Sequence, residues 1–135
     1  MTLENLFKIG NLHREPPDSK EFKGLVLSAQ DRLEDAQNSS LSFASRFDLA
    51  YNAAHGFALA ALRTAGYRTD KRYLVFQCLV HTVSMENAKM RVFSLCHERR
   101  NLAEYEGHMD VDEQLLAELI KNTLELAKTV ESLGV

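Results

Sequence analysis

Residues 42–66, SFASRFDLAYNAAHGFALAALRTAG, decide the fold. Phe43, Phe47, Ala50, Ala54, Phe57 and Ala61 recur at alternating intervals of four and three. That is the period of one face of an α-helix. The other flank, Leu49, Ala53, Gly56 and Ala60, is small or apolar as well, so a second backbone can approach it closely. This predicts a helix packed on two sides, either central to the domain or meeting another subunit with its second face. Ser42 is placed to cap its start, and Gly66 to end it in the left-handed conformation that glycine tolerates.

Working towards the N-terminus, Asn38-Ser39-Ser40 reads as a turn and is preceded by a second amphipathic stretch, with Phe22, Leu25, Val26, Ala29, Leu33 and Ala36 on one face. Asp18 and Glu21 have capping-box spacing at its start. Pro16-Pro17, the only prolines, separate it from a short amphipathic arm bearing Leu3, Leu6 and Phe7. Towards the C-terminus, residues 67–71 form a polar connection with Asp70 as the next cap. Residues 72–83 are apolar enough for a buried strand or a helix. They read as helix, because no second strand is evident to pair their backbone groups. Ser84 is placed to cap a long helix over 85–106, with Met85, Ala88, Val92, Leu95, Cys96, Leu102 and Ala103 as its apolar stripe, and Gly107 closes it. Asp110 and Glu113 open a last helix whose stripe is Leu116, Leu119, Ile120, Thr123, Leu126, Ala127, Val130 and Leu133. The expected fold is all-α: an antiparallel up-and-down four-helix bundle over 18–133, with an N-terminal arm over 1–17 and one short helix between the second and third long helices.

The composition fits one globular domain: 135 residues, 45% hydrophobic and 26% charged. A net charge of −3 argues against a surface built wholly for nucleic acid, but leaves room for a local basic patch. Met1–Leu12 lacks the pattern of a signal peptide and no apolar run reaches a membrane span, so a cytoplasmic location is expected. Cys78 and Cys96 fall within apolar patterns and read as reduced, buried thiols. Cys78, His81, Cys96 and His97 are too poorly aligned for zinc, and the glutamate three residues before histidine that dimetal bundles use is missing. Hence no metal and no cofactor are expected.

Candidate chemistry centres on His97-Glu98-Arg99-Arg100-Asn101-Leu102-Ala103-Glu104-Tyr105-Glu106-Gly107-His108. Helical geometry sets Arg99 within the apolar stripe, where a guanidinium needs a carboxylate such as Glu34, Asp35 or Asp48. Arg100 has Glu104 one turn on, for an ion pair, or it faces an anion. His55 lies beside the seam of the 42–66 helix and reads as a hydrogen-bonded interior residue. Arg63, Arg68, Lys71 and Arg72, with Tyr67 and Tyr73 interleaved, form a candidate nucleic-acid patch. The alternative for that patch is a helix terminus carrying favourable cations.

The run Arg100-Asn101-Leu102-Ala103-Glu104-Tyr105, near a helix end and before one last amphipathic helix, resembles the signature of HEPN domains. Residues 50–55, AYNAAH, and 60–68, AALRTAGYR, resemble the second helix and following turn of bacterial members. The resemblance covers roughly residues 18–133. It implies a bundle that dimerises, often a metal-independent ribonuclease toxin paired with a nucleotidyltransferase or another antitoxin. It also implies a cleft at the dimer interface lined by an arginine, its polar neighbour and a histidine after four to six intervening residues. Arg100 and Asn101 match the first two. Tyr105 stands where the histidine would be after four intervening residues, and His108 follows after seven, beyond Gly107. An imidazole serves as acid and base near neutral pH, and tyrosine is a poor base. His108, or His97 on the preceding turn, would therefore have to act in an enzyme. Two readings result: a non-catalytic dimerisation or partner-binding module, and a ribonuclease acting on RNA at a homodimer cleft.

Overall fold

The periodic stretches are helices in the computed structural model, which describes residues 2–134. In chain order the elements are α1 (Leu3–Lys8), β1 (His13–Arg14), α2 (Ser19–Ala36), α3 (Phe43–Thr64), β2 (Tyr67–Arg68), α4 (Arg72–Gln77), α5 (Leu79–Thr82), α6 (Asn87–Glu106) and α7 (Glu113–Glu131). The fold is all-α. No described helix is long and apolar enough to cross a membrane.

Helix α3 is the hub, packing on α2, α7, α4, α5 and α6. Both of its flanks are used within one chain: Phe47, Ala50, Ala54, Phe57 and Ala61 are buried on one side, and Ala53 and Ala60 on the other. Gly56 marks the closest approach, where an added Cβ would lie 3.1 Å from the Ala29 Cβ of α2. Small residues on α3 thus bring α2 within backbone range. Asp18 caps α2 by accepting from the Lys20 and Glu21 amides, and Ser42 caps α3 through the Ser45 amide. Gly66 and Gly107 hold φ of +91° and +77° at the ends of α3 and α6.

Several local expectations are corrected. Residues 72–83 are helical but broken at Cys78 into α4 and α5. Asp70 does not cap α4, whose first residue follows Lys71 without a side-chain cap. Ser84 instead takes a positive φ of 53°, and α6 starts three residues later. Asp112, not Asp110, caps α7, accepting from the Leu115 amide at 2.8 Å. The buried face of α6 carries Phe93 and Cys96, while Leu95 and Leu102 are exposed. A helix with charged residues on every side leaves the phase of its stripe poorly determined.

A short antiparallel ladder, His13 opposite Arg68 and Arg14 opposite Tyr67, ties the N-terminal arm to the end of α3. Behind it lies Arg63, with a side chain only 3% exposed. Its Nε donates to Glu21 at 2.6 Å, and its terminal nitrogens donate to the carbonyls of Pro16 (2.7 Å), Glu15 (2.9 Å) and Tyr67 (3.3 Å). Arg68 spans the carboxylates of Glu15 and Glu21. Glu21 therefore serves this network rather than reaching back to its own helix start. The two arginines hold its carboxyl below the usual range.

Candidate functional site

Two polar stripes interrupt otherwise packed helices, and both have the spacing i, i+3, i+4, i+7. On α3 they are Asp48, Tyr51, Asn52 and His55; on α6, His97, Arg100, Asn101 and Glu104. That spacing puts four side chains on one helical face. The stripes meet where α3, α4 and α6 come together, and α4 adds Arg72 and the buried Phe76.

Tyr51 is the centre. Its ring is fully buried, and the Arg100 guanidinium carbon lies 4.9 Å and that of Arg72 5.7 Å from the ring centroid. Its hydroxyl is 2.8 Å from His97 Nδ1. His97 Nε2 is 3.1 Å from the Asn101 amide nitrogen. An amide nitrogen only donates, so Nε2 accepts, and the proton of the neutral ring sits on Nδ1, donating to Tyr51 Oη. Burial, then Arg100 and Arg72, lower the pKa of His97, so the ring is a neutral imidazole at pH 7. His55 presents its edge to Phe76 at a centroid distance of 6.0 Å. Burial first, then the charges of Arg72, His97 and Arg100, lower its pKa to about 4.

The two arginines are balanced differently. Arg100 lies 3.5 Å from Asp48 and 3.5 Å from Glu104, loose pairs on a partly exposed face. Arg72 donates to the neutral side-chain oxygen of Asn52 at 3.0 Å and, among the described residues, meets no carboxylate within ion-pair distance. A half-buried guanidinium lacking a counter-charge, with a second guanidinium against the same ring, is a place for an anion. Two neutral imidazoles adjoin it, which adds groups able to carry a proton.

The residues expected from sequence are distributed unevenly. Arg100 and Asn101 lie in the cluster. Tyr105 is 89% exposed on another face of α6, and His108 is 72% exposed, 3.8 Å from Glu106; neither is near Arg100. His97, three residues before Arg100 and four before Asn101, stands on their face instead. The basic patch is divided too. Arg63 and Arg68 are tied to Glu15 and Glu21, so Arg63 is an interior strut and not a surface cation. Tyr67 donates to Glu4 at 3.1 Å, Lys71 is exposed, and Arg72 alone joins the cluster. Arg99, expected inside the stripe, pairs with Asp110 at 2.6 Å on the outside. Among the described residues His55 has no hydrogen-bond partner, contrary to its reading as a bonded interior residue. Asp48, Tyr51, Asn52 and His55 were legible only as a polar stripe on a helix that otherwise reads as core.

Burial raises the Cys78 and Cys96 thiols to about 11 and about 12, so neither is a nucleophile at neutral pH. Among the described residues no three His, Cys, Asp or Glu side chains gather into a metal-binding group. Comparison with protein-family models, curated proteins and solved structures finds no match to this chain.

Proposed function

We propose that this chain is a HEPN-like helical protein that binds RNA at the Arg72–Tyr51–Arg100 cluster and cleaves it without a metal, with His97 as the base. The observation that carries the reading is the pair of guanidiniums on one buried tyrosine ring, with Arg72 lacking a carboxylate. Such a pair fits the two non-bridging oxygens of a phosphodiester. It is also suited to the extra charge on phosphorus in the transition state. His97, neutral and oriented by Tyr51 and Asn101, has an Nε2 lone pair that can take a proton once a substrate hydroxyl displaces the Asn101 amide. In this reading His97 takes the part that the family resemblance gives to a histidine after Arg100.

The same reading takes α2, α3, α6 and α7 as an up-and-down four-helix bundle pairing as a homodimer. An antitoxin or nucleotidyltransferase partner would cover the cluster and silence it. A second reading, a non-catalytic module, is favoured by one particular: both His97 nitrogens are already bonded within the chain, and Arg100 already has two carboxylates.

The test is cleavage of end-labelled single-stranded RNA in EDTA by wild type, Arg72→Ala, Arg100→Ala and His97→Gln. The ribonuclease reading expects fragments ending in 2′,3′-cyclic phosphate, and losses of about 100-fold or more in the Arg100 and His97 variants. Intact RNA with wild type, at protein concentrations that saturate binding, leaves the module.

A further inference from the structure

His55 is a half-buried titratable group for which neither the packing nor the proposed base finds a use. It lies on α3 one turn after Tyr51 and Asn52, so all three share a face. Phe76 is the common wall: its centroid is 6.0 Å from that of His55, 6.3 Å from that of His97 and 5.8 Å from that of Tyr51. The charged and titratable groups facing His55 are Arg72 from α4, and His97 and Arg100 from α6. Neither ring nitrogen is hydrogen-bonded within the protein, yet neither is sealed from solvent, since Thr82 Oγ1 is the buried side-chain polar atom without a partner among the described residues. The ring thus keeps a donor and an acceptor open to solvent or a ligand, on the α3 face that carries Tyr51 and Asn52.

We infer that His55 is a second proton-transfer residue of this site, the acid that protonates the leaving 5′ oxygen while His97 deprotonates the 2′-hydroxyl. The inference rests on the ribonuclease reading above. In the step, His97 Nε2 takes the 2′-hydroxyl proton as O2′ bonds to phosphorus. The bond from phosphorus to O5′ breaks, and O5′ receives the proton of the His55 imidazolium. The products are a 2′,3′-cyclic phosphate and a 5′-hydroxyl. His97 ends protonated and His55 neutral, and exchange with water resets both. The proton on His55 arrives with the substrate: a phosphodiester between Arg72 and Arg100 offsets the positive field that keeps the free imidazole neutral. RNA binding therefore takes up a proton.

A substrate with sulfur in place of the scissile 5′ oxygen separates the two roles, because a thiolate leaves without protonation. On ordinary RNA, His55→Gln is expected to lose about 100-fold or more in single-turnover rate. On the sulfur substrate it should return to within about tenfold of wild type, while His97→Gln stays slow on both. Equal rates for His55→Gln and wild type on ordinary RNA overturn the inference and leave the ribonuclease reading standing, as does an equal loss on both substrates. No cleavage by wild type overturns both. Wild-type protein provides a measurement independent of how the variant folds: the His55 ring titration, followed by NMR with and without a non-cleavable 2′-deoxy oligonucleotide. The expected result is a higher pKa in the complex, and an unchanged one sinks the proposal.

Discussion

Arg63→Ala should be the most damaging truncation of a charged side chain on α3, although it lies outside the proposed site. The guanidinium is 3% exposed and makes one charged bond of 2.6 Å to Glu21, a contact of 3.1 Å to the Glu15 carboxylate, and bonds to three carbonyls. Hydrogen bonds to charged groups contribute about 1.5–3 kcal/mol each, and they are not additive. Some of the loss is recovered, because Glu15 and Pro16 are exposed and their carbonyls rehydrate, and Glu21 keeps Arg68. Removing one partner of a buried pair costs about 3–5 kcal/mol, and the lower half of that range applies here. Urea denaturation should show a loss of about 3 kcal/mol, with little change in m if the unfolded state is unaltered. The loss should persist in 0.5 M salt, since a buried pair is weakly screened. Lys89–Glu125, nearly half exposed on both sides, should by contrast contribute little, and that little should fade in the same salt. Amide exchange should also quicken at Glu15, whose N–H donates to Gly66. A loss below about 1 kcal/mol for Arg63→Ala would refute the reasoning.

Burial holds the folded pKa of His55 at about 4 against the ordinary 6.5, so the unfolded chain binds the proton more readily. The stability from the neutral ring is complete above about pH 6.5 and is lost as the pH falls towards 4; His55→Gln should flatten the stability–pH curve there by up to about 2–3 kcal/mol. Cys78 and Cys96, with thiols raised to about 11 and about 12, should resist a thiol reagent at pH 8 in the folded protein and react fully in denaturant. Tyr51→Phe keeps the ring beneath both guanidiniums but frees His97 Nδ1; calorimetry should find a loss of about 0.5–1.5 kcal/mol, with a larger proportional fall in cleavage.

The apolar periodicity of α2, α3 and α7 is strong enough to be read directly, because each buries one or two uninterrupted faces. Helix α6 is different. Its inner face is shared between Phe93 and Cys96 of the core and His97, Arg100 and Asn101 of the site, so apolar residues alone misplace the stripe towards Leu95 and Leu102. That error put Arg99 inside, when Arg100 is the inward arginine. At α7 the cap is Asp112 rather than Asp110, a nearby residue of the same chemistry, whereas α4 and α6 follow Lys71 and Glu86 with no side-chain cap at all. Arg63 looked like part of a basic cluster with Arg68 and Lys71; nothing in sequence says that Glu15 and Glu21, more than forty positions earlier, lie against it. In sequence His97 stands second to His108, because the family pattern directs attention to residues after Arg100. The repeated polar spacing 48-51-52-55 and 97-100-101-104 was the available signal. Reading it requires knowing that α3 and α6 touch.

A cluster retained only for stability would be built otherwise. Half-buried polar groups cost free energy unless they are paired. His55 has no hydrogen bond and Arg72 no carboxylate, while Phe76 and Tyr51 offer apolar surface on which leucine could pack. Proteins accept such local losses at functional sites, and this yields a prediction that separates the two roles of His55. His55→Leu removes a half-buried imidazole whose nitrogens only solvent satisfies and puts a side chain of similar size against Phe76. Thermal and urea unfolding at pH 7 should show unchanged stability or a gain of up to about 2 kcal/mol, in the same protein whose RNA cleavage is lost. If His55→Leu instead loses more than about 1 kcal/mol, the imidazole is a structural group with bonded water in its place, and the assignment of a proton-transfer role to it fails.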